Sequence, residues 1–167
     1  LDIIPIMVSE RLVDVDEECG WQYVEVTGDF RSYNKNEGNR TRVLLFVFAT
    51  GFDVLNELQP SDFENKVVLD GYICKRTSYR KTPLGRDISD IILAVNRPYG
   101  KSDYIPCICW GRNAVFASGL DVGMHIKVEG RLQSREYVKK FDDGTQEIRT
   151  AYEASISKIE VVEETED

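Results

Sequence analysis

Apolar and polar residues alternate through Val67-Val68-Leu69-Asp70-Gly71-Tyr72-Ile73, the period of a half-buried β-strand. The period returns over Asp87 to Val95, where Ile91, Leu93 and Val95 share one face. It returns again over Tyr104 to Trp110. There Tyr104 and Trp110 fall on one face, and Ile105, Cys107 and Cys109 fall on the other, toward the core. Thr82-Pro83-Leu84-Gly85-Arg86 reads as a turn, because Pro fixes φ and Gly admits a positive φ. Asn96 to Lys101 is a basic loop. Arg112 to Leu120 predicts a short helix with Val115, Phe116 and Leu120 turned inward, and Gly123 ends that connection. His125 to Tyr137 predicts a long strand that bends or bulges at Gly130. Phe141-Asp142-Asp143-Gly144 is a hairpin turn, and Ile148 to Val161 is the last strand.

Strand, strand, strand, helix, strand, strand is the order of a five-stranded OB barrel, an all-β fold. It is assigned to residues 65–160. The residues before it resemble the latter half of the same unit. Asp2-Ile3-Ile4-Pro5-Ile6 parallels Asp103-Tyr104-Ile105-Pro106-Cys107, and Arg11 parallels Arg112. Val24 to Ser32 parallels Ile126 to Ser134, both carrying Val-x-Gly-x-x-x-Ser, and Arg42 to Phe48 stands where Arg149 to Ser155 stands. A repeat at an offset of about a hundred residues implies a tandem arrangement. The reading is a partial, divergent OB-like unit over 1–58 without its opening hairpin, a linker over 59–64 and an acidic tail over 161–167. Leu1 in place of Met suggests a fragment or a lost start.

Charge sharpens this division. The formal net charge of −8 looks wrong for a nucleic-acid ligand. It is distributed as −8 over residues 1–65, +5 over residues 66–159 and −5 over residues 160–167. Only the central segment has the sign a phosphate backbone attracts. Cys19, Cys74, Cys107 and Cys109 match no zinc spacing, and the chain has one His. Cys107 and Cys109 are therefore expected to be core thiols. No metal or cofactor is implied. Asp87 and Asp90 lack a third carboxylate, there is no Gly-rich phosphate loop, and only His125 is available as a base, so the reading is not an enzyme. No apolar run approaches the ~20 residues of a membrane span, and no signal pattern follows Leu1. The expectation is a cytoplasmic, nucleoid-associated protein.

Several motifs in order carry a resemblance to the bacterial single-stranded-DNA-binding protein family. They are Asn65-Lys66-Val67-Val68-Leu69-Asp70-Gly71, Thr82-Pro83-Leu84-Gly85, Leu93-Ala94-Val95-Asn96-Arg97-Pro98-Tyr99, Asp103-Tyr104-Ile105-Pro106-Cys107-Ile108-Cys109-Trp110-Gly111 and Val128 to Tyr137. The resemblance implies sequence-tolerant binding of single-stranded DNA in replication, recombination or repair. It carries the family's base-stacking aromatics onto Tyr99, Tyr104, Trp110 and Tyr137. Such binding needs flat platforms and scattered cations. The cations expected near the platforms are Arg97, Lys101, Arg112, Arg131, Arg135, Lys139 and Lys140, with Arg76, Arg80, Lys81 and Arg86 flanking the first hairpin. The partial unit has Ile3, Ser9 and Lys35 where Tyr104, Trp110 and Tyr137 stand, and is expected to pack or contact protein rather than DNA. Family members present several OB units to one strand, usually as four chains. A chain with two units implies a homodimer. The loop before Tyr104 is short for the family. The acidic tail lacks the family's spacer and apolar tip, which bears on the recruitment of replication proteins. The alternative is a primosomal or adaptor subunit acting mainly through protein contacts.

Overall fold

The computed structural model describes residues 1–13, 22–58 and 63–165. Cys19, residues 59–62 of the expected linker, and Glu166 and Asp167 of the tail lie outside the described residues. The chain divides into two compact units: Leu1–Ile3 with Lys66–Asp167, and Ile4–Asn65.

In chain order the strands of the smaller unit are β1 (Ile6–Met7), β2 (Tyr23–Glu37) and β3 (Arg40–Leu55). They form a sheet in the order β1-β3-β2. β1 pairs parallel to β3 through Ile6↔Val47 and Met7↔Phe48. β2 and β3 form a long antiparallel hairpin whose register shifts between Thr27 and Gly28. Phe30 and Ala49 are buried, while Tyr23, Tyr33, Val43 and Val54 stay exposed.

The larger unit carries β4 (Val67–Ile73), β5 (Ser78–Lys81), β6 (Asp87–Arg97), β7 (Lys101–Trp110), helix α1 (Arg112–Ser118), β8 (His125–Lys140) and β9 (Gln146–Val161). The strand order is β4-β8-β9-β7-β6-β5, and β4 also pairs with β6 at Tyr72↔Ala94 and Ile73↔Leu93. That second pairing curls the sheet around one core. Alternation fills it as the sequence predicts: Ile91, Leu93, Ile105, Cys107, Cys109, Ile126 and Val128 are all buried. Burying each large aliphatic side chain contributes about 1.5–3 kcal/mol. The expected turns recur at Thr82–Arg86, where Gly85 has φ 83°, and at Phe141–Gly144, where Gly144 has φ 85°. β5 is an extra short strand that the sequence pattern does not single out. β9 runs to Val161, so Glu160 belongs to the sheet, opposite Lys127.

One expectation is corrected. Val115 and Phe116 do not pack inward; they are 53 % and 47 % exposed, and Leu120 is only half-buried. The buried positions of α1 are Ala114 and Ala117. The cause is a close approach: the hydroxyl of fully buried Ser89 on β6 donates to the Ala114 carbonyl at 2.6 Å. Methyl groups fit that gap and larger side chains turn outward.

The irregularity expected at Gly130 is a register shift between Glu129 and Gly130, with the extra residue, Ser157, on β9. A Cβ on Gly130 would lie 1.9 Å from the Ser155 carbonyl oxygen. In the smaller unit, a Cβ on Gly28 would lie 2.0 Å from the Phe48 carbonyl oxygen. The parallel pairing of β7 with β9 through Cys107↔Ala154 likewise has its counterpart in the pairing of β1 with β3.

Candidate nucleic-acid interface

β6 and β7 form a hairpin whose two faces differ sharply. Cross-strand pairs Ala94↔Tyr104, Ile92↔Pro106, Asp90↔Ile108 and Ile88↔Trp110 share the face opposite Ile91, Leu93, Ile105 and Cys107, and on that face Ile88 and Ile108 are themselves buried. Tyr104 is half-exposed there and Trp110 partly so. The Arg86 guanidinium lies 4.3 Å from the centroid of the Trp110 ring, covering one face of the indole.

Tyr99 sits at the tip of the hairpin, in the 3-10 turn Pro98–Gly100. It is fully exposed, and among the described residues it is the non-glycine with a positive φ, 70°. That conformation costs an L-residue about 1–2 kcal/mol. The turn is fastened at its base. Arg97 pairs with buried Asp103, Nε to Oδ2 2.9 Å, and the Ser102 hydroxyl donates to Asn96 Oδ1 at 2.8 Å. Tyr137 lies on a different hairpin, the β8–β9 arm. It is opposite Arg149 and shares a face with Arg131, Gln133, Arg135 and Lys139. The structure thus groups Tyr99, Tyr104 and Trp110 on one hairpin and puts Tyr137 on the next.

The cations separate into two groups. Arg76, Lys101, Arg112, Lys139 and Lys140 are exposed, with no carboxylate partner among the described residues. The others are engaged within the fold. Arg97 is held by Asp103. Arg135 Nε donates to Oε1 of buried Glu153 at 2.8 Å, an oxygen that also accepts from Gln133 Nε2 at 2.9 Å. Arg131 donates to Asp2 Oδ2 at 2.9 Å. Arg80 pairs with Asp90 at 2.7 Å and Lys81 with Asp87 at 3.9 Å, while the Tyr79 hydroxyl donates to Asp87. A phosphate that recruits one of these must compete with a carboxylate already in place.

Sequence reasoning missed Asp2, Asp103 and Glu153 as the anchors of these arginines. The Ser134 N–H and then Arg131 hold the Asp2 carboxyl below its ordinary range, against the opposing effect of desolvation. The repeated Asp-x-Ile-Pro of Asp2 and Asp103 was the available signal.

Burial pushes the Cys109 thiol up to about 12, with Asp90 adding to the shift, and pushes Cys107 up as well. Both are protonated at neutral pH and unreactive. Among the described residues no group of three His, Cys, Asp or Glu could hold a metal ion. His125, stacked on Tyr72 with centroids 4.6 Å apart, pairs with Asp70 and bridges β4 and β8. No described helix is long and apolar enough to cross a membrane.

A model of the Single-strand binding protein family matches residues 64–162. The Single-stranded DNA-binding protein of Halalkalibacterium halodurans is 36 % identical over 80 residues, covering 44 % of this chain and 48 % of that one. Single-stranded DNA-binding protein A of Bacillus subtilis is 39 % identical over 80 residues, covering 44 % and 46 %. The chain spans about half the length of the curated relatives it matches. Among solved structures, a deletion mutant of the single-stranded DNA binding protein from Thermus aquaticus superposes with a TM-score of 0.77 at 21 % identity. That likeness of fold covers 97 % of this chain and 72 % of the other.

Proposed function

The chain belongs to the single-strand binding protein family, and from that premise we propose that it binds single-stranded DNA without catalysis, in replication, recombination or repair. The observation that carries the reading is the outer face of the β6–β7 hairpin. Tyr104 and Trp110 stand on one face of β7, and the turn thrusts Tyr99 into solvent. Bases of any sequence stack on such rings, and Lys101, Arg112, Arg76, Lys139 and Lys140 supply charge for the backbone. Tyr137 extends the path onto the β8–β9 arm.

Titration with oligo(dT), its RNA counterpart and duplex DNA tests the reading. Tight binding should be confined to the single strand. Trp110→Ala should weaken oligo(dT) binding by about 1–3 kcal/mol, the cost of one lost base stack. A folded variant that binds as the parent does would remove Trp110 from the site.

We infer further that the smaller unit is a divergent partial copy of the larger. The matching bulges at Gly28 and Gly130, and the matching parallel pairings, support this. With Ser9 and Lys35 at two of the platform positions, and the third filled by Ile3, which clusters with the larger unit, that copy contributes contacts with protein rather than with DNA. Among the described residues β2 is an edge strand of its sheet, with β3 as its strand neighbour. Open edges recruit strands, and closed two-fold symmetry is the commonest way to satisfy them. The expected assembly is a homodimer. Light scattering across a concentration series checks it, and a monomer at every concentration would refute it.

A further inference from the structure

Beyond Trp110, an open groove of about 640 Å³ runs toward α1 and β9, lined by Trp110, Arg112, Asn113, Phe116 and Ile159. Its walls come from the packing of α1. Ala114 and Ala117 take the contacts with the barrel, so Phe116 is left half-exposed at the groove rather than in the core. Asn113 ties the helix to the barrel by donating through Nδ2 to the Ser157 carbonyl at 3.1 Å. Its side-chain oxygen remains an acceptor. Arg112 is exposed at the first position of the helix, with no carboxylate partner among the described residues.

Two aromatic rings, a cation and an amide acceptor meet the requirements of one nucleotide: a flat face for the base, charge for the phosphate and a polar edge. An apolar protein segment would leave Arg112 and the Asn113 amide without partners at its border. The groove is also continuous with the proposed interface, since Trp110 belongs to both. Arg86, which covers one face of the indole, is not among the lining residues.

We propose that this groove seats one further nucleotide of the bound single strand, with its base against Phe116 and its phosphate on Arg112, so that the strand continues past Trp110 onto α1. The proposal rests on the reading of Trp110 as a stacking platform.

The test compares Phe116→Ala and Trp110→Ala in oligo(dT) titrations, together with photo-cross-linking to an oligo(dT) carrying 5-iodouracil. Phe116→Ala should weaken binding by roughly tenfold, in line with one lost stack. The parent should cross-link at Phe116. Phe116→Leu keeps apolar bulk at that position without a ring, so a matching loss there identifies stacking even if the alanine variant folds poorly. If Trp110→Ala weakens binding while both Phe116 variants bind as the parent and no cross-link forms at Phe116, the groove proposal falls and the platform reading stands. If neither site matters, both fall. If the Phe116 variants change only the mass seen by light scattering, the groove is a protein contact and the proposal is overturned.

Discussion

Gly130→Ala should lower the stability of the larger unit by about 3 kcal/mol or more, at the upper end of overpacking costs. The added methyl would sit 1.9 Å from the Ser155 carbonyl oxygen, 2.8 Å from its carbon and 3.0 Å from Ile156 Cα. All three are backbone atoms of the paired strand, so no side-chain rotation relieves the clash. The pairing must open where the register shifts: Gly130 faces Ile156, Glu129 faces Lys158, and Ser157 of β9 is the extra residue between them. Ser157 also donates to the Glu129 carbonyl at 3.1 Å and accepts from Asn113, so the disturbance reaches α1. A small opposing gain of about 0.4–1 kcal/mol from the stiffer unfolded chain does not offset this. Thermal unfolding checks the result, and an unchanged Tm would show that the bulge tolerates a Cβ. Because the bulge aims the arm that carries Tyr137, oligo(dT) affinity should fall as well. Gly28→Ala meets the same kind of clash, 2.0 Å from the Phe48 carbonyl oxygen, but in the unit without platforms. It should therefore lower stability with far less effect on binding by the folded protein.

The bulge was legible in the sequence because Val-x-Gly interrupts an otherwise regular alternation. The alternation of β7 was legible only in part: Ile105, Cys107 and Cys109 are inside as a period of two requires, but Ile108, on the side of Tyr104 and Trp110, is buried as well. The partners of the arginines were not legible. Arg135 and Glu153 stand 18 residues apart and Arg131 and Asp2 129 apart, and only the strand pairing and chain path bring them together. The sequence therefore offered Arg80, Arg97, Arg131 and Arg135 as phosphate ligands, whereas the structure pairs each with a carboxylate. The inward face of α1 was misjudged for a related reason. Larger side chains are normally expected to face a core, but Ala114 and Ala117 take the buried positions where the Ser89 hydroxyl bonds the Ala114 carbonyl. The stacking of Arg86 on Trp110 likewise depends on how the first hairpin meets the end of β7, which no spacing reveals.

Arg97 should prove to be a support for Tyr99 more than a phosphate ligand, and the two roles predict opposite results. The Asp103 side chain is only 3 % exposed, and Arg97 is its ion-pair partner at the base of the turn. Arg97→Ala leaves a buried carboxylate without that partner, for which the expected cost is about 3 kcal/mol of stability. Lys101→Ala should leave stability unchanged. It should reduce the slope of log affinity against log salt by about 0.7, the contribution of one single-strand phosphate contact. Asp103→Asn separates the roles most cleanly. By electrostatics alone, removing a negative charge beside the path of a polyanion should tighten binding. If the pair exists to hold the turn, the weaker neutral contact loosens it. Tyr99 then relaxes from its strained backbone conformation, and binding weakens. We expect weaker binding. We also expect Tyr99→Ala to add little on top of it, because both changes remove the same platform and contributions that share a partner are not additive. Oligo(dT) affinities of the two single variants and the double variant decide it: tighter binding by Asp103→Asn would mean that the pair does not position Tyr99.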